Sequence, residues 1–174
     1  TVRELARLAK PVVVIPGNHD CVDDGSIYHR VDLRDAGDHV FFVGDPAGQE
    51  LAFEDLSLVV WARGIQSHDP SNRPLTGHRP GNPDLWRVVL THGHYVPDGE
   101  SSHRSSQITQ EEIGRLQCDY VALGHWHRFL DVSEGDVRAF YSGSPSDPGS
   151  GGASVNLVTF DPAADVRVER RTIE

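Results

Sequence analysis

The sequence is poor in the residues that define several protein classes. Two cysteines, Cys21 and Cys118, are too few for a disulfide scaffold, so we expect free thiols in a reducing compartment, the cytoplasm. No apolar run approaches the ~20 residues of a membrane-spanning helix, and we expect no membrane partner. Lysine and arginine number 16 against 26 aspartate and glutamate, a net charge of −10. This acidic balance disfavours broad binding to nucleic acid but leaves room for a small basic patch.

The start of the chain has neither a methionine nor the apolar core of a secretory leader. Methionine is absent throughout, and Thr1 stands inside an apolar pattern of helical spacing that Lys10 and Pro11 close. Charged side chains stand where a secretory leader would need an apolar core. We therefore expect the chain to be a piece of a longer protein.

The rest of the chain alternates between apolar runs and polar turns. Thr109 and Glu112 form a T-x-x-E capping box, which predicts a helix through about Gln117. Residues 65–84 contain four prolines and predict a long loop. The stretch 26–33 predicts a short helix, and 144–152 predicts a flexible linker between two strands. Continuous apolar strands come first and alternating ones later, which indicates an α/β protein with a mixed sheet in one domain. The predicted strands are 11–15, 39–44, 56–64, 85–93, 119–127, 137–144, 154–161 and 166–173.

Histidine is plentiful, with ten in the chain, and its placement is the strongest functional signal. Three predicted strands end in the same way, in GNHD (17–20), THGH (91–94) and GHWH (124–127). Each stretch alone has an ordinary structural interpretation, as a turn or as a core histidine. All three stand at strand ends, where the loops of an α/β sheet form a common crevice, and together they predict a metal site.

These motifs resemble the later signature motifs of the calcineurin-like metallophosphoesterase superfamily. The text "DYVALGHWH" (119–127), followed by "YSGSP" (141–145), resembles its branch of DNA repair exonuclease-like enzymes. The resemblance runs from Val12 to Val168. It implies a layered sandwich of mixed β-sheets flanked by helices, formed by a single domain over residues 1–174.

The resemblance also implies a metal-ligand set. Asn18, His92 and His125 would bind one divalent ion, and His127 would bind a second. Imidazole and carboxamide donors suit Mn, our first expectation, or Fe or Zn. Two such ions lower the pKa of a bound water and clamp the oxygens of an in-line phosphoryl displacement.

Further roles follow from the same resemblance. His19 would face the scissile phosphate, and Asp20 would hydrogen-bond His19 and fix its orientation. His94 stands close enough to contact the substrate, although an exposed turn histidine is an equal alternative. The stretch 101–104 could touch substrate phosphates, but we expect it to be a solvated loop.

One part of the family pattern is missing. The family begins with an Asp-x-His motif and a Gly-Asp motif on two earlier strands, and only eleven residues precede Val12. We therefore expect a domain that lacks its first two strands. The chain alone would be incomplete for catalysis, because the carboxylate that bridges both metals is absent.

Three functions are compatible with the sequence. The first is a two-metal phosphoesterase that hydrolyses phosphodiester bonds by attack of metal-activated water, with nucleic acid as the substrate that the branch resemblance favours. If the protein is such a phosphoesterase, the alternative that the acidic charge favours is a small-molecule phosphodiesterase or phosphomonoesterase. The second is a degenerate, non-catalytic binding module, and the third is a one-metal binding protein. The sequence leaves the native substrate, the protein partners and the oligomeric state open.

Overall fold

Strands form most of the regular structure. The computed structural model describes residues 2–146 and 152–173. Its two α-helices are short, α1 at Val2–Leu5 and α2 at Gln110–Gly114. The strands are β1 Val12–Val14, β2 Val40–Phe42, β3 Gln49–Phe53, β4 Leu58–Arg63, β5 Trp86–His92, β6 His94–Val96, β7 Gln107–Thr109, β8 Tyr120–Gly124, β9 Phe129–Asp131, β10 Arg138–Ser142, β11 Ser154–Asp161 and β12 Asp165–Thr172.

A six-stranded mixed sheet is the centre of the fold. Its order is β3-β4-β5-β8-β10-β9. The four inner strands run parallel, and the edge strands β3 and β9 pair antiparallel. The carboxyl ends of β5 and β8 are level, because His92 stands opposite Gly124 in the register. The predicted α/β class with a mixed sheet is confirmed.

Both faces of this sheet are apolar, which explains why its strands read as continuous hydrophobic runs. Along β4, Val59 and Trp61 lie at one face, while Val60 and Ala62 lie at the other. The first face packs against the helix α2 and the strand β7. The opposite face is covered by the parallel pair β1–β2 and by the antiparallel hairpin β11–β12.

The pair β1–β2 brings the first polar loop to the end of the main sheet. Among the strands that the structure describes, β1 pairs with β2 alone, so its other edge is unpaired. The segment after β1 lies beside the end of β4, where the Ile65 N–H donates to the Pro16 carbonyl over 2.9 Å. Gly64 allows this approach, since a Cβ there would lie 2.2 Å from Pro16. The GNHD loop therefore starts beside the carboxyl ends of the parallel strands.

The observed elements differ from the predicted ones mainly in length and number. The capping box of Thr109 and Glu112 is present, but α2 ends at Gly114, the residue of poorest helix propensity in that segment. The segment 26–33, predicted as a short helix, forms 3-10 turns at Ile27–His29 and Leu33–Ala36. Four short strands, β3, β6, β7 and β9, lie outside the predicted set.

Two further expectations concern the whole chain. The predicted loop 65–84 contains no helix or strand. The predicted linker 144–152 lies mostly outside the described residues. Within the described ranges, no helix is both long and apolar enough to cross a membrane.

Candidate metal centre

The amide of Asn18 meets two histidines from distant parts of the chain. Its Oδ1 lies 2.7 Å from His92 Nε2 and 3.3 Å from His125 Nδ1. The two imidazole rings are 5.5 Å apart between centroids and nearly perpendicular. The structure thus brings together the three residues that the sequence analysis assigned to one ion.

Close packing fixes the position of His92. A Cβ on Gly17 would lie 2.8 Å from His92 Cε1, and one on Gly124 would lie 2.6 Å from His92 Nδ1. Only glycine fits against the ring at both positions. The preceding residue, Thr91, is fully buried and donates from its hydroxyl to the Arg63 carbonyl over 3.0 Å. The ring is therefore held before any ligand arrives.

Electrostatics keep His92 and His125 neutral near pH 7. Burial, and next the charge of His125, lowers the pKa of His92 to about 4. Burial likewise lowers the pKa of His125, and a positive charge on His94 lowers it further. Neutral imidazole is the form that binds metal ions, so both rings are ready to coordinate at physiological pH.

His125 has an unusual backbone conformation. Its φ is 121°, a region that residues other than glycine rarely adopt. Such conformations cost about 1–3 kcal/mol and are concentrated at functional sites. This backbone conformation, directly after β8 ends at Gly124, allows the His125 side chain to contact Asn18.

His19 and Asp20 lie at the same place but do not contact each other as expected. The side chain of Asp20 accepts hydrogen bonds from the Gly17 N–H at 2.8 Å and from the Tyr28 O–H at 2.5 Å. Within the described residues, no hydrogen bond joins Asp20 to His19. Asp20 instead fixes the turn of its own loop. The side chain of His19 is exposed beside His92 and is free to meet a substrate.

The remaining predicted residues surround this centre. His127 is exposed, and a charge on its ring adds to the main effect of burial in lowering the pKa of both His92 and His125. His94 stacks on Trp126 with centroids 5.4 Å apart, and its ring also lies edge-on to His125 at 5.6 Å. The turn histidine that the sequence left undecided is thus half-buried in the wall of the site.

The sequence analysis missed two contributors. Tyr28 binds Asp20 and packs on Phe42 with ring centroids 4.3 Å apart, and nothing in its local sequence marks it. Arg104 lies in an exposed loop, as expected, and its positive charge also acts on the histidines. Burial is the main cause of the lowered pKa of His94 and His125, and Arg104 lowers both further.

The donor set fits one divalent ion. Donor atoms around an ion bound at ~2.1 Å lie about 3 Å apart, and Asn18 Oδ1 stands at 2.7 and 3.3 Å from the two imidazole nitrogens. In the described part of the chain, no group of three or more His, Cys, Asp or Glu side chains is arranged to hold a metal. The Asn18 amide therefore completes the ligand set of His92 and His125. Among the described residues, no carboxylate joins this set.

Comparison with known proteins agrees with this geometry. No curated protein matches the chain. The family model for calcineurin-like phosphoesterases matches residues 1–129, a range that includes the GNHD, THGH and GHWH motifs. Nearly three quarters of the chain is covered, and all three strand ends that form the centre lie inside the match. The chain therefore belongs to the calcineurin-like phosphoesterase family.

Proposed function

We propose that the protein is a metal-dependent phosphodiesterase whose reaction takes place at the Asn18–His92–His125 centre. The assignment is supported by two neutral imidazoles whose nitrogens lie 2.7 and 3.3 Å from one amide oxygen. A divalent ion bound there would supply a water of lowered pKa and a clamp on phosphate oxygens. Membership of the phosphoesterase family favours this metal chemistry over a one-metal binding protein without catalysis.

The surrounding side chains have defined tasks in this proposal. His92 and His125 would hold the ion together with Asn18, and His127 would be the first ligand of a second ion. His19, exposed beside them, donates a proton or a hydrogen bond to the leaving oxygen. Asp20 keeps the loop of His19 in shape through Gly17.

Manganese is the ion that we propose first, with iron or zinc as alternatives, because amide and imidazole donors are borderline to hard ligands. Nucleic acid is the first proposed substrate, because the sequence of residues 119–127 resembles that of DNA repair exonuclease-like enzymes. The net charge of −10 favours a small phosphodiester as the second candidate.

The test separates a ligand from a proton donor. His92→Ala should lose bound metal and should lose hydrolysis of all esters together. His19→Ala should keep its metal. It should lose about 100- to 10,000-fold in rate on an unactivated dinucleotide and much less on bis(4-nitrophenyl) phosphate, whose leaving group needs no proton.

Metal content by elemental analysis and the two rates decide the outcome. His29→Ala, an exposed histidine on a 3-10 turn, is the matched control and should change neither. If His92→Ala retains its metal, the proposed centre is wrong. If His19→Ala loses metal as His92→Ala does, His19 is a ligand and its proposed role is wrong.

A further inference from the structure

The glycine between two histidines of the site is fixed by hydrogen bonds on both sides. Gly93 lies between His92, where β5 ends, and His94, where β6 begins. Its N–H donates to the Gly124 carbonyl over 3.2 Å, and its own carbonyl accepts from the Tyr141 hydroxyl at 2.8 Å. Glycine is the most permissive residue in its backbone torsions, so these two bonds decide how the chain leaves β5.

The first of these bonds joins the two proposed imidazole ligands through the backbone. Gly93 follows His92 directly. Its partner Gly124 directly precedes His125. A change in this bond therefore changes the separation of two rings that contact the same amide oxygen. The bond from Tyr141 fixes the other peptide plane of Gly93 and so opposes the rotation that would break the first bond.

The Tyr141 hydroxyl is a donor in a fixed position. Tyr141 is fully buried and belongs to the same core cluster as Val89 and Ile108. It lies in β10, which β8 separates from β5, so its hydroxyl reaches across one strand to the Gly93 carbonyl. In a close-packed core the ring has little freedom, so the hydroxyl keeps its place relative to the sheet.

The surroundings of Gly93 make this bond costly to lose. Gly93 is buried, and a Cβ there would lie 2.5 Å from the Ser106 carbonyl oxygen and 2.8 Å from Ile108 Cδ1. Removing the Tyr141 hydroxyl takes the donor away from a buried carbonyl, which is unfavourable. The peptide would then turn towards another donor or towards water, and His92 would move with it.

The residue on the other side of His92 is fixed as well. The Thr91 hydroxyl donates to the Arg63 carbonyl, which ties it to β4. The backbone around His92 is thereby connected to β4, β8 and β10. Among these connections, the one from Tyr141 can be removed by a substitution that leaves the ring in place.

We propose that Tyr141 is a positioning residue of the metal centre. Its hydroxyl holds the Gly93 peptide so that His92 and His125 keep the separation that one ion requires. Tyr141 touches neither the ion nor the substrate. This inference rests on the proposed function and extends it to β10, a strand to which none of the proposed ligands belongs.

The Co²⁺-loaded chain tests this role without turnover, because the visible absorption of Co²⁺ reports the geometry of its ligands. Tyr141→Phe keeps the ring and removes the hydroxyl. It should shift this absorption and should bind Mn²⁺ about tenfold more weakly in calorimetric titration, as for the loss of other groups that orient a metal ligand. Tyr141→4-aminophenylalanine regains an N–H donor at nearly the same place and should restore both values.

Tyr120→Phe is the matched control, because it removes the hydroxyl of another buried tyrosine. That hydroxyl accepts from Asn156 Nδ2 over 3.3 Å, and Tyr120 lies at the opposite end of β8 from Gly124. The control should lose stability in urea unfolding but keep the Co²⁺ absorption and the Mn²⁺ affinity. If Tyr141→Phe does not fold in buffer, the same comparison is made in sucrose, which stabilises folded states.

Two results overturn the inference while the proposed function stands. The first is that Tyr141→Phe shows the absorption and affinity of Tyr120→Phe. The second is a loss of affinity with unchanged absorption, or without rescue by 4-aminophenylalanine, which would indicate a purely structural role. Failure of the proposed function looks different, because the unmodified chain would then bind neither ion and both proposals would be wrong.

Discussion

Gly124→Ala tests directly whether the position of His92 determines metal binding. A Cβ at Gly124 would lie 2.6 Å from His92 Nδ1, whereas ordinary contacts begin at 3.4 Å. The ring must therefore move by most of an ångström, or the strand β8 must shift. Metal–ligand distances tolerate only about 0.2 Å, so a displacement of this size removes His92 from the coordination sphere.

Two opposing contributions set the size of the effect on stability. Gly124 has no left-handed φ, so alanine would gain about 0.4–1 kcal/mol from a less flexible unfolded chain. Overpacking at a close contact costs about 1–3 kcal/mol. We expect the clash to dominate, with a net loss of about 1–2 kcal/mol in the free energy of unfolding. Metal affinity should fall about 10- to 100-fold, as for other changes that misplace a ligand.

Gly25→Ala supplies the control. Its φ is also not left-handed, and its Cβ would meet only Asp23 Oδ1 at 3.5 Å, an ordinary contact. Urea unfolding and calorimetric titration with Mn²⁺ should show a small gain in stability and unchanged affinity for Gly25→Ala. If Gly124→Ala binds the ion as tightly as Gly25→Ala does, His92 is not a ligand held by close packing.

Two further changes probe the surroundings of the centre. Tyr28→Phe removes the O–H that donates to the Asp20 carboxylate, and urea unfolding should show a loss of about 1.5–3 kcal/mol, as for a hydrogen bond to a charged group. Acid should destabilise the fold, because between pH 6.5 and about 4 the unfolded chain protonates His92 and the folded chain does not. The pKa difference corresponds to about 3 kcal/mol, lost as the pH falls through this window and absent in His92→Gln.

Each of these has a comparison that can contradict it. Tyr95→Phe removes an O–H that donates to the neutral Gln110 amide oxygen at 3.2 Å, so its cost should be lower, at about 1 kcal/mol. An equal or larger cost for Tyr95→Phe would refute the role of Tyr28. If His92→Gln loses as much stability as the unmodified chain between pH 6.5 and 4, the buried ring is not the group that titrates.

The sequence by itself determined the strands and the residue types of the site. Inner strands such as β5 and β8 are buried on both faces, so they read as uninterrupted apolar runs with clear ends. Short edge strands such as β3 and β9 were missed, because their formation depends on the neighbour that pairs with them. The capping box of α2 was readable because it involves residues only three apart.

The tertiary structure decided the contacts themselves, which the sequence could group only through the family resemblance. Asn18 contacts His92 and His125 across 74 and 107 positions of chain, a distance over which sequence periodicity carries no geometric information. The partner of Asp20 is Tyr28 because the 3-10 turn that Ser26 caps brings its ring to the loop. The loop before β7 lies beside His94 because β6 and β7 pair, and the pairing of two three-residue strands depends on contacts that only the folded chain supplies.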